Sequence, residues 1–560
     1  EIRLSLVGSE MCIRDRSVIS PDLSTNDPDK QKQSESGGLT MDATGAENHT
    51  TIIVLEPSPL EQSMLWAGTD DGRVHYTQNG GQSWTDVSKN LKGLPAGSWI
   101  VQIKASNKNK GEALLVANDY RRFNYTPYAY RTIDYGKNWD RIVDANDVES
   151  YTLSIIEDPI EKNLLFLGTD DGLYFSINAG ESWTKWTHGF PTVPVKDLAI
   201  QEREHDLVIG TFGRAAWVLD DIRPLRAIAK NSSVLNNKLT VFSPPTAYQA
   251  AYQQPTGSRF GGDALYNGEN RDRGAPISYY FKADPKMEAA DKKPEDKDDD
   301  ETTSEEKEKG PSKDSLYMKV YDDSRLIRTL KRKIPDSSGI YKWAWYMNEK
   351  GVDRPSRSIR ERKNEPGGTD VKPGTYRVDL EHIGQTTSTN IKIESDPRLD
   401  VSAKAINEAY LTSKVLEQMT QRASDAVKQL IESKNIASEL SKTIKKEDDE
   451  KYKEEIKACK AINKKIDSIV ALYLGKEDKR QGITRNPEIT VMQRIGTANW
   501  YSGSRPNGMT ETEKTLISHA KSQLNAAIKQ TNAFFVTEWA EYQSKMEVIA
   551  LSPFKKTKTF

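Results

Sequence analysis

From Thr51 onward the chain alternates short apolar runs with turn residues. Thr51–Leu55 is closed by Glu56-Pro57-Ser58-Pro59, Leu65–Gly68 by Asp70-Asp71-Gly72, and Val74–Tyr76 by Asn79-Gly80-Gly81, after which comes Ser83–Val87. Short apolar runs bounded by Gly, Pro, Asn and Asp predict strands joined by tight turns. The same order returns as Leu153–Ile156, Leu164–Gly168, Leu173–Phe175 and Ser182–Trp186, with Asp158-Pro159 and Asp170-Asp171-Gly172 at the matching turns. A middle copy spans Trp99–Val143 and carries what reads as an insertion, Asn118–Tyr130. A partial fourth holds Asp197–Ile200, Asp206–Thr211 and Ala215–Leu219. Four short strands per repeat predict a β-propeller blade, so residues 51–226 are expected to form three to four blades.

The pattern then changes twice. In residues 240–396 apolar positions alternate with period two, as at Ile277, Tyr279 and Phe281, Leu316, Met318 and Val320, and Tyr376, Val378 and Leu380. About seven half-buried strands there predict an Ig- or fibronectin-like sandwich. It is interrupted at 284–314 by a run of Lys, Glu, Asp, Ser and Pro that cannot bury a core and is expected to be a solvated, disordered insertion. Pro244–Asn270 and Pro355–Gly368 read as further loops. From 401 to 547 the period is helical: Val415, Met419, Ala423, Val427 and Leu430, then Ile456, Cys459, Ile462, Ile466 and Ile469, then Leu516, Ala520, Leu524, Ile528, Phe535, Trp539 and Tyr542. This predicts an up-and-down bundle of three long helices, with a short one near Ile489–Ala498. The fold class is therefore mainly β with an α C-terminal part.

Composition narrows the function classes. The net charge of −2 gives no case for a nucleic-acid partner, and no apolar run is long enough to span a membrane. The 11 Trp and 23 Tyr among 560 residues suit a β-rich chain and argue against general disorder. Of the two cysteines, Cys12 and Cys459, the second falls on an apolar helical stripe and reads as an inert core thiol. A disulfide between them is not expected. Residues 17–50 are rich in Ser, Asp, Gly and Gln and read as loop.

A second regularity overlies the strands. Thr77-x-Asn79-x-Gly81-x-Ser83-Trp84, Thr132-x-Asp134-x-Gly136-x-Asn138-Trp139 and Ser176-x-Asn178-x-Gly180-x-Ser182-Trp183 fit one template, with 55 and 44 residues between successive tryptophans. The Asp/Asn side chain can accept from turn amides, Gly can take a left-handed backbone, and Trp can pack between sheets, so the motif reads as structural. The template resembles the Asp-box, or BNR repeat. With the closing phrase GTFGRAAWVLDDI, the chain resembles bacterial sortilin-like BNR-repeat propeller proteins, often called glycosyl hydrolases. That resemblance implies export to the periplasm, outer surface or medium. The string SLVGSEMCIRDR resembles a translated sequencing adaptor. Residues 1–16 are therefore expected to be foreign, and the chain to be a fragment lacking its first blades and signal peptide.

Catalytic chemistry is sparse. None of the six histidines has metal-ligand spacing, and nucleophile-elbow and phosphate-loop motifs do not occur, so neither metal nor cofactor is expected. Glycosidases need two opposed carboxylates, and Asp70, Asp71, Asp170 and Asp171 are the catalytic candidates. Their recurrence at matching turns favours service to the blade over one active centre. Arg121, Arg122, Tyr125, Tyr128 and Arg214 are the candidate ligand-binding residues, Arg for carboxylates and Tyr for stacking on sugars, with Tyr130 beside them. The favoured reading is an exported, non-catalytic protein that binds peptide or glycan on its propeller. The alternative is a xyloglucanase- or sialidase-like glycoside hydrolase whose site lies largely in absent blades.

Overall fold

The computed structural model describes residues 18–32, 49–250, 271, 273–284, 314–359, 362, 364–477, 488–504 and 508–549. The expected foreign tail 1–16 and all but the two end residues of the 284–314 insertion lie outside the described residues, as do 251–270 of the loop after Pro244. The chain divides into two compact units, Glu1–Lys238 and Leu239–Phe560.

Among its described residues the first unit holds four antiparallel sheets in succession. They are β1 (Ile52–Pro57), β2 (Leu65–Thr69), β3 (Val74–Thr77) and β4 (Thr85–Asp86); β5 (Trp99–Ala105), β6 (Ala113–Asp119), β7 (Asn124–Thr132) and β8 (Asp140–Arg141); β9 (Thr152–Glu157), β10 (Leu165–Thr169), β11 (Gly172–Ser176) and β12 (Thr184–Lys185); and β13 (Val195–Gln201), β14 (Asp206–Thr211) and β15 (Ala216–Leu219). In each, neighbours in sequence are neighbours in the sheet. First strand packs on first strand, β1 on β5, β5 on β9 and β9 on β13, as in consecutive blades of a propeller.

Burial explains why β6 shows no alternation in sequence. Ala113, Leu115 and Ala117 point into a core with Trp66, Ile100 and Trp139, while Leu114 and Val116 point into a second core with Ile155, Leu165 and Leu167. A strand covered on both faces reads as a continuous apolar run. Asn118–Tyr130 is not an insertion. It is the end of β6, one 3-10 turn at Tyr120–Arg122, and most of β7, so this blade simply has a longer hairpin. A helix α1 (Arg223–Lys230) follows the fourth sheet, with Pro224 in its first turn and Leu225 and Ala229 in the last inter-sheet core. Buried Arg226 donates from Nε to Asp158 Oδ2 at 2.8 Å, tying this helix to the turn after β9.

The second unit opens with β16 (Leu239–Val241), β17 (Ala247–Gln249), β18 (Ala275–Phe281), β19 (Ser315–Asp322), β20 (Arg325–Lys333), β21 (Gly339–Trp345), β22 (Asn348–Lys350), β23 (Gly367–Asp370), β24 (Gly374–His382) and β25 (Gln385–Ser395). The sheet orders are β16-β18-β21 and β17-β25-β24-β19-β20, with β22-β23 as a separate pair. Ile277, Tyr279 and Trp345 of the first sheet share one core with Met318, Val320, Leu380 and Ile391 of the second, so the two sheets face each other.

The helices are α2 (Ala403–Glu447), α3 (Lys453–Leu474), α4 (Val491–Gly503), α5 (Glu511–Phe534), and, after a π-helical turn at Phe535–Trp539, α6 (Ala540–Glu547). Reciprocal capping boxes, Thr490 with Gln493 and Thr510 with Glu513, start α4 and α5. The predicted stripe is corrected at one point: Val415 is largely exposed and Leu416 takes the core position, in line with Met419, Ala423, Val427 and Leu430. Cys459 is fully buried, 3.2 Å from the Tyr542 hydroxyl, and burial pushes its thiol up. Glu349 joins sandwich to bundle, accepting from Arg325 (2.9 Å), Tyr410 (2.8 Å) and Lys414 (3.1 Å). Burial raises its pKa, but these three donors outweigh burial and bring the carboxyl down to about 2.

Candidate functional site

Each blade has two ends, and the repeated motif occupies one of them. In all three copies the leading hydroxyl accepts from the Gly amide: Thr77 from Gly81 (3.0 Å), Thr132 from Gly136 (2.9 Å) and Ser176 from Gly180 (2.9 Å). The Asp/Asn oxygen accepts from the amide of the residue just before the Trp: Asn79 from Ser83 (3.0 Å), Asp134 from Asn138 (2.9 Å) and Asn178 from Ser182 (3.1 Å). The three glycines sit at φ +94°, +76° and +95°, where a side chain would be strained. Trp84 and Trp183 donate to the carbonyls of Ile19 (2.8 Å) and Ile142 (2.7 Å), and Trp139 meets Trp66 edge-on at 5.8 Å. The leading hydroxyl, the Asp/Asn oxygen and the glycine amide of the template are thus engaged within the turn.

The opposite end carries the hairpin tips between second and third strands, and here the copies differ. The tips are Asp70-Asp71-Gly72, Tyr120–Phe123, Asp170-Asp171 and Phe212–Arg214. All eight catalytic and arginine or tyrosine candidates other than Tyr128 lie at or beside them. Tyr128 is placed differently: with Tyr130 it is buried in the core between the first two sheets, and its hydroxyl accepts from Asn124 (3.0 Å), so its ring is not available for stacking on a ligand.

The carboxylates of the first tip are enclosed. Asp70 is 2% exposed and accepts from the Thr51 amide at 2.8 Å; Asp71 is 4% exposed and accepts from the Thr25 amide and hydroxyl, both at 2.6 Å, and from the Thr69 hydroxyl. Burial raises the Asp70 pKa, against the opposing pull of the Thr51 amide and of His49. In the third blade, Tyr151 donates to Asp170 at 2.8 Å, while Asp171 accepts from Thr169 (2.6 Å), Tyr174 (3.3 Å) and Lys185 (2.5 Å). Burial works to raise Asp171, but the Lys185 ammonium and the two hydroxyls prevail and its carboxyl lies below the usual range.

The second tip is aromatic and cationic. The Arg121 guanidinium lies 3.2 Å from the Trp99 ring centroid and 4.8 Å from that of Tyr120. Tyr120 stacks on Tyr151 at 4.6 Å, and Tyr125 leans on the same ring at 6.1 Å. Arg122 binds Asp119 (2.5 Å) and the Ala96 carbonyl (2.9 Å), which fixes the turn. Phe123, in a left-handed conformation at φ +58°, is 76% exposed and Tyr125 54% exposed. The structure therefore brings Arg121, Arg122 and Tyr125 together with Trp99, Tyr120 and Tyr151, three residues that sequence reasoning passed over. Their signal was positional: Trp99 opens β5 and Tyr151 directly precedes β9, on the end where the tips emerge. Arg214 belongs to the fourth tip, where its carbonyl accepts from Trp217 at 3.1 Å.

A cleft of about 190 Å³ opens at the motif end, lined by Lys104, Glu112, Glu157 and Glu202. It is below the roughly 300 Å³ lower bound of small-molecule pockets. Two of its three acids are also engaged: Arg131 donates to Glu112 (2.7 Å) and Glu157 (3.4 Å), and Lys108 to Glu157 (2.6 Å). No His, Cys, Asp and Glu group suited to a metal ion occurs among the described residues, and no described helix is long and apolar enough to cross a membrane.

No protein-family profile matches the chain, and no curated protein matches it in sequence. Among solved structures it is similar to a GH74 enzyme of Niastella koreensis, at 14% identity and TM-score 0.26, over 41% of this chain and 35% of that one. It is similar also to a GH74 xyloglucanase of Xanthomonas campestris, at 15% and 0.24, over 32% and 30%. A third is YCF48 bound to a D1 peptide, at 15% and 0.23, over 30% of this chain and 52% of that one. The chain thus spans from about a third to about half of the length of these proteins. Its assignment as mainly β, with propeller blades followed by a helical C-terminal part, rests on its own sheet order and packing.

Proposed function

We infer that the chain is an exported, non-catalytic binding protein of the sortilin-like Asp-box kind, which takes a peptide or a glycan at the hairpin tips of its blades. One observation carries this reading: the tips divide their chemistry. Asp70 and Asp71 are enclosed and bonded to their own turns, whereas the second tip presents Phe123 and Tyr125 to solvent over a base of stacked Tyr120, Tyr151, Trp99 and Arg121. A hydrolase of the glycosidase type needs a proton donor and a second carboxylate facing one sugar ring. Carboxylates already accepting from amides and hydroxyls inside a turn are poorly disposed for that. Exposed aromatics over a rigid base fit recognition, because large rings give contact area with little conformational entropy to lose.

The test exposes the full chain to a panel of oligosaccharides and peptides, following both retention and cleavage. Binding without turnover, lost on Tyr125→Ala and Phe123→Ala, supports the reading. Hydrolysis of a glycan that disappears on Asp70→Asn or Asp170→Asn would replace it with the glycoside hydrolase reading.

A further inference from the structure

The first and third blades are built alike at the tip end, and one difference between them is a difference of charge. The Asp70 amide donates to the Thr51 carbonyl at 3.0 Å and the Asp170 amide to that of Tyr151 at 3.2 Å, so Thr51 and Tyr151 hold one place in the blade. Two residues earlier stand His49 and Glu149. In the first blade the buried His49 ring lies close enough to Asp70 to pull on its carboxyl, and both side chains are enclosed. In the third blade a carboxylate replaces that ring. Glu149 is exposed and acts on Lys185, the cation already bonded to Asp171.

Asp170 is thereby left without a cation. It is half-buried, and its side chain accepts from the Tyr151 hydroxyl at 2.8 Å. Among the described residues no basic group forms an ion pair with it, whereas neighbouring tip acids are matched, Asp119 with Arg122 and Asp171 with Lys185. Burial, and then Asp170 itself, pushes the Tyr151 hydroxyl up, so it stays protonated as a donor to this carboxylate.

The rings beside Asp170 suit a cation. Tyr151 contacts Tyr120 at 4.6 Å and Tyr125 at 6.1 Å. This stack already holds one cation, the Arg121 guanidinium against Trp99 and Tyr120, and aromatic faces attract positive charge through their quadrupole. At Tyr125, 54% exposed, the stack is open to solvent.

We propose that Asp170 and Tyr125 take a basic side chain, arginine or lysine, of a peptide. Its charged head meets the Asp170 carboxylate, filling in the third blade the place that His49 fills in the first, and its apolar stem lies along the Tyr125 ring. The proposal rests on the reading that the tips bind a ligand, and the charge selects peptide from the two ligand classes.

Fluorescence anisotropy on the full chain tests this with labelled Gly-Ser peptides that carry arginine, lysine, citrulline or glutamate at one position. The arginine and lysine peptides are expected to bind about tenfold more tightly than the neutral citrulline peptide. That preference should shrink as salt rises. Asp170→Asn keeps an acceptor for Tyr151 but removes the charge, and should abolish the preference; Tyr125→Ala should weaken binding of both basic peptides. If Asp170→Asn does not fold, the citrulline comparison on the unaltered chain still decides. Equal binding of arginine and citrulline peptides, a preference for glutamate, or a preference that survives Asp170→Asn would overturn the proposal and leave peptide binding at the tips standing. Retention of oligosaccharides with no peptide bound would overturn it in favour of a glycan at the same tips. Binding of neither class would overturn both this proposal and the reading beneath it.

Discussion

The two ends of the blades carry different kinds of information. At the motif end, three turns separated by dozens of residues make the same hydrogen bonds within 0.1 Å or so of one another, with a glycine at the same left-handed position each time. At the tip end, the equivalent hairpins diverge into a buried acid pair in the first blade, a half-buried one in the third, an aromatic and arginine cluster, and an open Phe212–Arg214 turn. Where a repeat is kept uniform, the blade itself sets the chemistry; where it diverges, the blade does not need the particular residues. The proposed binding at the tips rests on this contrast.

Changes at the motif end should cost the most stability. Trp139→Ala removes a buried ring between the first two sheets and is expected to cost about 3–5 kcal/mol, read as a fall in denaturation midpoint. Gly180→Ala puts a Cβ 3.0 Å from Ile142 at a φ that disfavours it, for about 1–3 kcal/mol. Arg121→Ala at the second tip forfeits the contact with Trp99, about 0.5–1 kcal/mol. Tyr125→Ala should change stability by less than about 0.5 kcal/mol, because the ring is half exposed. If Tyr125→Ala proved as damaging as Trp139→Ala, the comparison between ends would fail.

The two acid tips should separate by pH. The Asp70 pKa is raised in the fold, so its protonated form is favoured there. Its contribution turns unfavourable as pH rises from the unfolded value near 3.8 through the folded one. The Asp171 pKa is lowered, so its contribution is present above 3.8 and is lost as pH falls through the folded value. Asp70→Asn should therefore relieve a loss of stability on the alkaline side of that window, and Asp171→Asn should remove stability there. Denaturation midpoints of both variants across the acid range would check the opposite signs.

Much of this architecture is legible in the residues. The motif end could be read because its template is local: a hydroxyl, an acceptor, a glycine and a tryptophan within eight positions dictate one turn. The helical stripes could be read to within one residue, Leu416 in place of Val415, because both apolar side chains fit the period and only packing chooses between them. The tip cluster was half legible. Arg121 and Tyr125 stand out as a basic and aromatic run, but Trp99 and Tyr151 come from the starts of other strands, and only the packing of blades brings them over it. Tyr128 and Tyr130 were indistinguishable from Tyr125 in sequence, since a long strand buried on both faces shows no alternation to separate inside from outside.

The most direct measurement pairs binding with stability in one set of proteins. The unaltered chain, a Phe123→Ala/Tyr125→Ala variant and Gly180→Ala would be compared for thermal midpoint and for retention of the glycans or peptides captured by the unaltered chain. The account predicts that the tip variant keeps its midpoint and loses retention, while Gly180→Ala loses midpoint and, below it, keeps retention. A tip variant that binds as well as the unaltered chain would contradict it.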